Sequence, residues 1–322
     1  MKTHFAKRIL QMIPLFIGVA LVTFLILSLV GDPFTQMLVN PRIRPADIAR
    51  LKHQWGFDLP IYLRFFKWFW SMLTGNWGLS IFAGGRPVTE LIGHALGWTL
   101  KFSLASFILA FVVSVPIGIY SAIRQYTVFD YIFTGFSFFG MSMPSFWFGF
   151  ILLMVFGLKL HWLPIGGVMT PGMESAPFFA RMLDQAKYFI LPVIVLSFVE
   201  MGSWMRYTRS SMLEVVHQDY LRTARAKGLP ERTVIVKHAL RNALIPIVTL
   251  LGLALPGLIS GAMITETVFA IPGMGRLTLS AMQSNDFPLA MACLLIESYL
   301  LIMGNLVADL LYAMVDPRIK YS

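Results

Sequence analysis

Long apolar runs separated by polar intervals set the pattern of this chain. The first run extends from about Ile9 to Val30, and a helix needs roughly 20 apolar residues to cross a bilayer. Five more follow, at Trp98–Ile123, Tyr131–Leu158, Tyr188–Tyr207, Arg241–Ile264 and Pro288–Val315. The pattern predicts an all-α polytopic membrane protein with six transmembrane helices. Pro14 lies inside the first run, where a span tolerates a kink without breaking. That run exceeds the apolar core of a signal peptide and lacks a small-residue cleavage site, so it is expected to stay as an uncleaved span.

Two polar intervals stand out. Gly31 to Gly97 is the longest, and Pro41, Arg42, Arg44, Pro45 and Asp47 mark it as an extracytoplasmic segment between the first two spans. Within it, Asp58–Leu73 mixes aromatics with Arg64 and Lys67. It reads equally as a helix lying at headgroup level and as a buried helix of a small domain. The second interval, 218–246, is a basic island between the fourth and fifth spans. Arg222, Arg225, Lys227, Arg232, Lys237 and Arg241 face only Asp219 and Glu231 there. Asp219 suits a helix N-cap, Gly228 the left-handed residue past the helix end, and Pro230 the first turn of a second helix. Charge alone leaves two readings open for this loop, a topogenic one and a functional one. The chain thus divides into 1–30, the N-terminal end and first span; 31–97, the extracytoplasmic segment; and 98–322, a five-span core carrying the 218–246 loop.

Composition agrees with the pattern. Hydrophobic residues make up 57% and charged residues 13%, against about 25% charged in soluble domains. The formal charge of +10 follows from Lys and Arg retained on the cytoplasmic side and does not imply nucleic acid. Placing Met1–Arg8, the Arg124 turn, the basic island and the tail with Arg318 and Lys320 on that side puts both termini in the cytoplasm. The one cysteine, Cys293, permits no internal disulfide. No phosphate-binding loop, Cys/His cluster or nucleophile–base pair is visible, and His161, His217 and His238 are scattered. The expectation is a non-catalytic chain with no metal and no cofactor of its own.

Glu200, Glu297 and Asp309 fall inside predicted spans. A carboxylate there must face protein or water, so each is a pathway residue or a helix–helix contact. Ser197 and Ser203 flank Glu200 at helical spacing, Gly304 follows Glu297 on one face, and Asn305 lies beside Asp309. These acids also define a rival reading, a proton-coupled secondary transporter. Such proteins are usually built from matched halves, and none are visible here.

With these residues in view, the chain resembles a peptide-type ABC-transporter permease. The likeness is to the first permease subunit of bacterial dipeptide and oligopeptide importers, a family that includes nickel importers. It rests on RILQMIPLFIGVALVTFLILSLVGDP, GNWGLSIFAGGRPVTELI, MPSFWFGFILLMVFGLKLHWLPIGG, DYLRTARAKGL, HALRNALIP, ETVFAIPGMGRL and VDPRI, in that order. The resemblance implies a bacterial inner-membrane subunit that forms half of a translocation pathway. Its implied partners are a second homologous permease, two ATPase subunits that bind the ATP, an extracytoplasmic solute-binding protein and a peptide cargo. It also implies a cytoplasmic coupling helix that docks on an ATPase, formed by Asp219, Tyr220, Arg222, Thr223, Ala224, Arg225, Ala226, Lys227, Gly228 and Leu229. The family's Glu-Ala-Ala…Gly motif places its last Ala on Ala224 and its Gly on Gly228. Arg222 stands where the Glu is usual, and Thr223 replaces the first Ala. The broad motif's Leu-Pro would fall on Leu240–Arg241, whereas this chain has Ile245–Pro246. Trp98 precedes Thr99-Leu100 where Asn is expected.

Overall fold

A computed structural model describes residues 2–30, 34, 44–54, 56–260 and 262–315. The basic tail at Arg318 and Lys320, and Pro41–Arg42 of the 31–97 segment, lie outside the described residues. Described residues form helices and no named strand; an isolated bridge pairs Leu79 with Pro87. Four helices are long and apolar enough to cross a membrane, and two bent pairs raise the number to six if each is one span.

The first span is α1, Lys2–Val30, which runs through Pro14 unbroken. The second is longer than predicted. α4, Val88–Ile123, has 36 residues, about 54 Å at 1.5 Å per residue, against a hydrocarbon core of about 30 Å. It begins directly after Pro87, well before Trp98, and Gly97 lies inside it. Glu90 sits in its first turn, 2.5 Å from Arg86, where an acid complements the helix dipole. Before α4, α2 covers Pro45–Gln54 and α3 covers Ile61–Leu73. One side of α3 packs on α1, with the Phe65 and Phe24 rings 5.4 Å apart and Arg64 donating to Ser28 at 2.7 Å. Its other side exposes Tyr62, Phe66 and Trp70. The segment is therefore half buried, with an aromatic outer face suited to headgroups.

The predicted third span is broken. α5, Val128–Ser142, and α6, Ser145–Leu152, which extends into a wide turn at Leu153–Lys159, meet at 102°. The cause is Pro144, which disfavours helical geometry at the residue before it; Met143 is extended at φ −83°, ψ 124°. The apolar run continues across the break, which is why it reads as one span. α7, Phe178–Val216, has 39 residues and overshoots Tyr188–Tyr207 at both ends. A short helix α8, Asp219–Ala226, follows. The chain then passes through Glu231–Thr233 and a wide turn at Val234–Ala239 into α9, Leu240–Ser260, bending by 40° near Pro246. Between the predicted runs Arg241–Ile264 and Pro288–Val315, the chain forms α10, Met263–Val268, which starts inside the first of them, and α11, Met274–Gln283. α12, Phe287–Val315, is the last span.

α4 packs most extensively on α7, and α9 on α12. Small residues allow these approaches, as in membrane helices generally. A Cβ on Gly118 of α4 would lie 2.8 Å from the Met205 carbonyl of α7. The core is divided along the bundle. At the α8 end a cluster gathers Ala122, Met212, Leu221, Ala224, Val234, Ala239 and Ala243. At the other end α1, α3, α4, α11 and α12 share another, which includes Cys293.

Candidate coupling site

An eight-residue helix is marginal alone and must be held by packing. α8 is held on one face. Leu221 is 0% exposed and Ala224 8%, both within the core cluster that includes Met212 of α7 and Val234. Three positions apart, they form a single stripe. The Tyr220 hydroxyl accepts from Asn242 Nδ2 at 2.8 Å, tying α8 to α9. Arg222, Thr223, Arg225, Ala226, Lys227 and Leu229 lie on the exposed side.

The ends depart in part from expectation. Asp219 is the first helical residue and Gln218 is the N-cap, with no side-chain cap bond. The Asp219 carboxylate points into solvent, 3.5 Å from Arg222. Pro230 likewise sits just before the second helical segment, at its N-cap. The C-terminal end is as read. Gly228 has φ +75°. Its N–H bonds the Arg225 carbonyl at 2.9 Å, and the Leu229 N–H bonds the Ala224 carbonyl at 3.4 Å. These are the two bonds of a Schellman turn, which satisfies carbonyls left free at a helix end. Just beyond, Arg225 donates through Nε and Nη2 to Glu231, the shortest bond being 2.8 Å. The hydrogen bonds from Arg225 to Glu231 push its guanidinium above its ordinary pKa, so it stays charged. Ala224, which the resemblance counts among the coupling-helix residues, faces the chain's own core. Thr223, Ala226 and the basic side chains make up the exposed face of α8.

The intramembrane acids do not converge. Glu200 on α7 is half buried, and its Oε2 has no partner among the described residues. Ser197 spends its hydroxyl on the Ile194 carbonyl at 3.1 Å and does not reach it. Glu297 accepts from Thr278 of α11 at 2.6 Å, while Gly304 abuts Pro256 of α9. Asp309 pairs with Arg8 at 2.7 Å, a contact between α12 and α1.

Three further carboxylates are more deeply buried than any of these. Asp130 is 2% exposed, Glu266 3% and Asp286 1%. Glu266 accepts from Thr99 Oγ1 at 2.7 Å and from the Arg276 N–H at 3.0 Å. Asp286 accepts from Ser80 and from the Phe82 N–H at 3.1 Å, joining the 31–97 segment to the start of α12. Asp130 sits beside the Arg124 turn and holds Arg209 of α7. Glu266 lies within ETVFAIPGMGRL, and its place in that motif, close to Gly273 and Gly275, was the available signal. Asp130 and Asp286 stand just outside apolar runs, where an acid passes for a solvated cap.

Residues 114–321 match the family described as Binding-protein-dependent transport system inner membrane component. The whole chain is 43% identical over 322 residues to the oligopeptide transport system permease protein AppB of Bacillus subtilis, covering 100% of both. It is 36% identical to the dipeptide transport system permease protein DppB of Escherichia coli, covering 98% of each. Over the full length of both chains it is also 36% identical to the di/tripeptide transport system permease protein DppB of Pseudomonas aeruginosa. None of these names supports a proton-coupled secondary transporter. The chain belongs to the binding-protein-dependent transport system inner membrane components, the multi-pass, non-catalytic permease subunits of ABC transporters.

Proposed function

We propose that this chain is one of two homologous permease subunits in an ATP-driven peptide importer, with α8 as its coupling helix. The observation that carries this reading is the two-sided build of α8. Leu221 and Ala224 anchor it to the bundle, while Arg222, Arg225 and Lys227 stand exposed on a small-residue surface. Such a surface suits charge-assisted bonds to acids or carbonyls of an ATPase cleft. Two ATPase subunits bind the ATP, and an extracytoplasmic binding protein delivers the cargo. Peptide cargo is the reading favoured by relatives whose names specify oligopeptide, dipeptide and di/tripeptide transport. The test is uptake of a labelled tripeptide by vesicles holding the assembled complex. Uptake is expected to require ATP and to survive collapse of the proton gradient. Uptake that persists without ATP and stops with the gradient would overturn the proposal.

In this reading both termini and α8 are cytoplasmic and 31–97 is outside. Cysteine labelling checks it. Ser80 is buried and bonded to Asp286, so Thr89, exposed on the first turn of α4, is the better probe. Cys293 is buried and adds little background. An impermeant thiol reagent added to intact cells is expected to label Thr89→Cys and spare Gln218→Cys. The reverse pattern would invert the topology.

A further inference from the structure

One buried charged cluster lies beside α8 and outside its exposed face. Asp130, at the start of α5, receives the Arg209 guanidinium of α7 through parallel bonds, Nε to Oδ1 at 2.8 Å and Nη2 to Oδ2 at 2.9 Å. The same carboxylate accepts from Ser121 Oγ of α4 and from the Tyr126 N–H at 3.1 Å. Three helices therefore meet at one carboxylate. A fork-to-fork pair fixes orientation as well as distance.

The cluster is continuous with the seat of α8. Ala122 follows Ser121, and Met212 lies three positions beyond Arg209. Both belong to the core cluster that holds Leu221 and Ala224. A displacement of α8 is passed to these residues, because packed cores transmit strain. Further along, α5 packs tightly on α7. A Cβ on Gly140 would lie 3.1 Å from the Phe198 carbonyl, and one on Gly202 2.6 Å from that of Ser137. Asp130 stands seven residues before Ser137, about 10 Å along the helix. Between the ion pair and this crossing lies a cavity of about 290 Å³, walled by Thr134, Met141, Met205 and Arg209. Beyond the crossing come Met143–Pro144 and the 102° break into α6.

We propose that Asp130 and Arg209 form a positioning clasp that makes α5 a lever. The clasp joins the start of α5 to α7 and α4, the Gly140–Gly202 crossing is the pivot, and the cavity gives the arm room to move. ATPase movement reaching α8 is thereby delivered to the broken α5–α6 pair, which opens or closes the pathway. This rests on the coupling role proposed for α8.

The experiment uses the complete complex in liposomes, with ATP hydrolysis and peptide uptake read on the same preparation. Arg209→Gln is expected to keep ATP hydrolysis within about twofold while uptake per ATP falls about tenfold, the upper range for a residue on a coupling route. Arg209→Lys keeps the charge without the fork and is expected to recover part of that ratio. A wild-type ratio in Arg209→Gln overturns the clasp, and so does a parallel fall of hydrolysis and uptake. Should Arg209→Gln fail to assemble, Arg209→Lys decides, and an assembled complex with the wild-type ratio overturns the clasp. Wild-type ATPase binding and uptake in Gly228→Val would instead remove the coupling role beneath it.

Discussion

Gly228→Val is expected to leave the permease in the membrane, weaken its hold on the ATPases and lower uptake by about tenfold. The reason is conformational and not steric. Gly228 sits at φ +75°, yet a Cβ there would meet nothing within 4 Å. A β-branched residue in the left-handed region costs about 1–2 kcal/mol, and about 1.4 kcal/mol is tenfold in an equilibrium. α8 has little reserve against such a cost. Its eight residues depend on buried Leu221, a partly helical turn and the Tyr220–Asn242 bond. Val at 228 would be relieved by undoing the two Schellman bonds, which frees the Ala224 and Arg225 carbonyls and re-aims Glu231 away from Arg225.

Gly228→Asn is the control, since Asn tolerates the left-handed region far better than a branched residue. It is expected to retain most ATPase binding and uptake. Co-purification of the ATPases and ATP-dependent uptake, measured on both variants, read the outcome. Equal losses in Val and Asn would show that the absence of a side chain matters, and not the backbone conformation. No loss in either would leave 218–246 as a topogenic loop.

What the sequence made legible and what it hid divide along physical lines. Apolar runs longer than a bilayer announce themselves, so the regions of all the spans were visible. Their ends were not, because α4 and α7 continue as helices beyond the apolar stretch, and hydropathy has no means of marking that. The break at Pro144 was hidden by unbroken hydrophobicity on both sides. The Gly228 turn was legible because its bonds are local, within six residues. The carboxylate partners were not. Thr99 and Glu266 are separated by 167 positions and Asp130 and Arg209 by 79, and one sequence carries no record of such pairings. The 221/224 spacing did encode which side of α8 packs inward. The resemblance nonetheless counts Ala224 among the coupling-helix residues, because a small residue serves close packing on either side.

Glu266→Ala is expected to cost about 3 kcal/mol of permease stability, since it strands buried donors and leaves a void. Thr99 would lose the acceptor of its hydroxyl, which in turn accepts from the Met274 N–H at 2.8 Å. The Arg276 N–H, in the first turn of α11, would lose its partner. These bonds fix α11 against α4, so the damage should centre on the α10–α11 end. Gly273 belongs to the same unit, because a Cβ there would overlap the Glu266 carboxyl group. Gly273→Ala should therefore displace that carboxylate and destabilise for the same reason. In the double variant the methyl would enter space the carboxylate has left, and the combined loss should fall short of the sum by about 1 kcal/mol or more. Thermal unfolding of the purified permease, on the two single variants and the double, measures this. Additive losses would mean that Gly273 is needed only for its turn, and that the Glu266 cradle does not hold α11 in place.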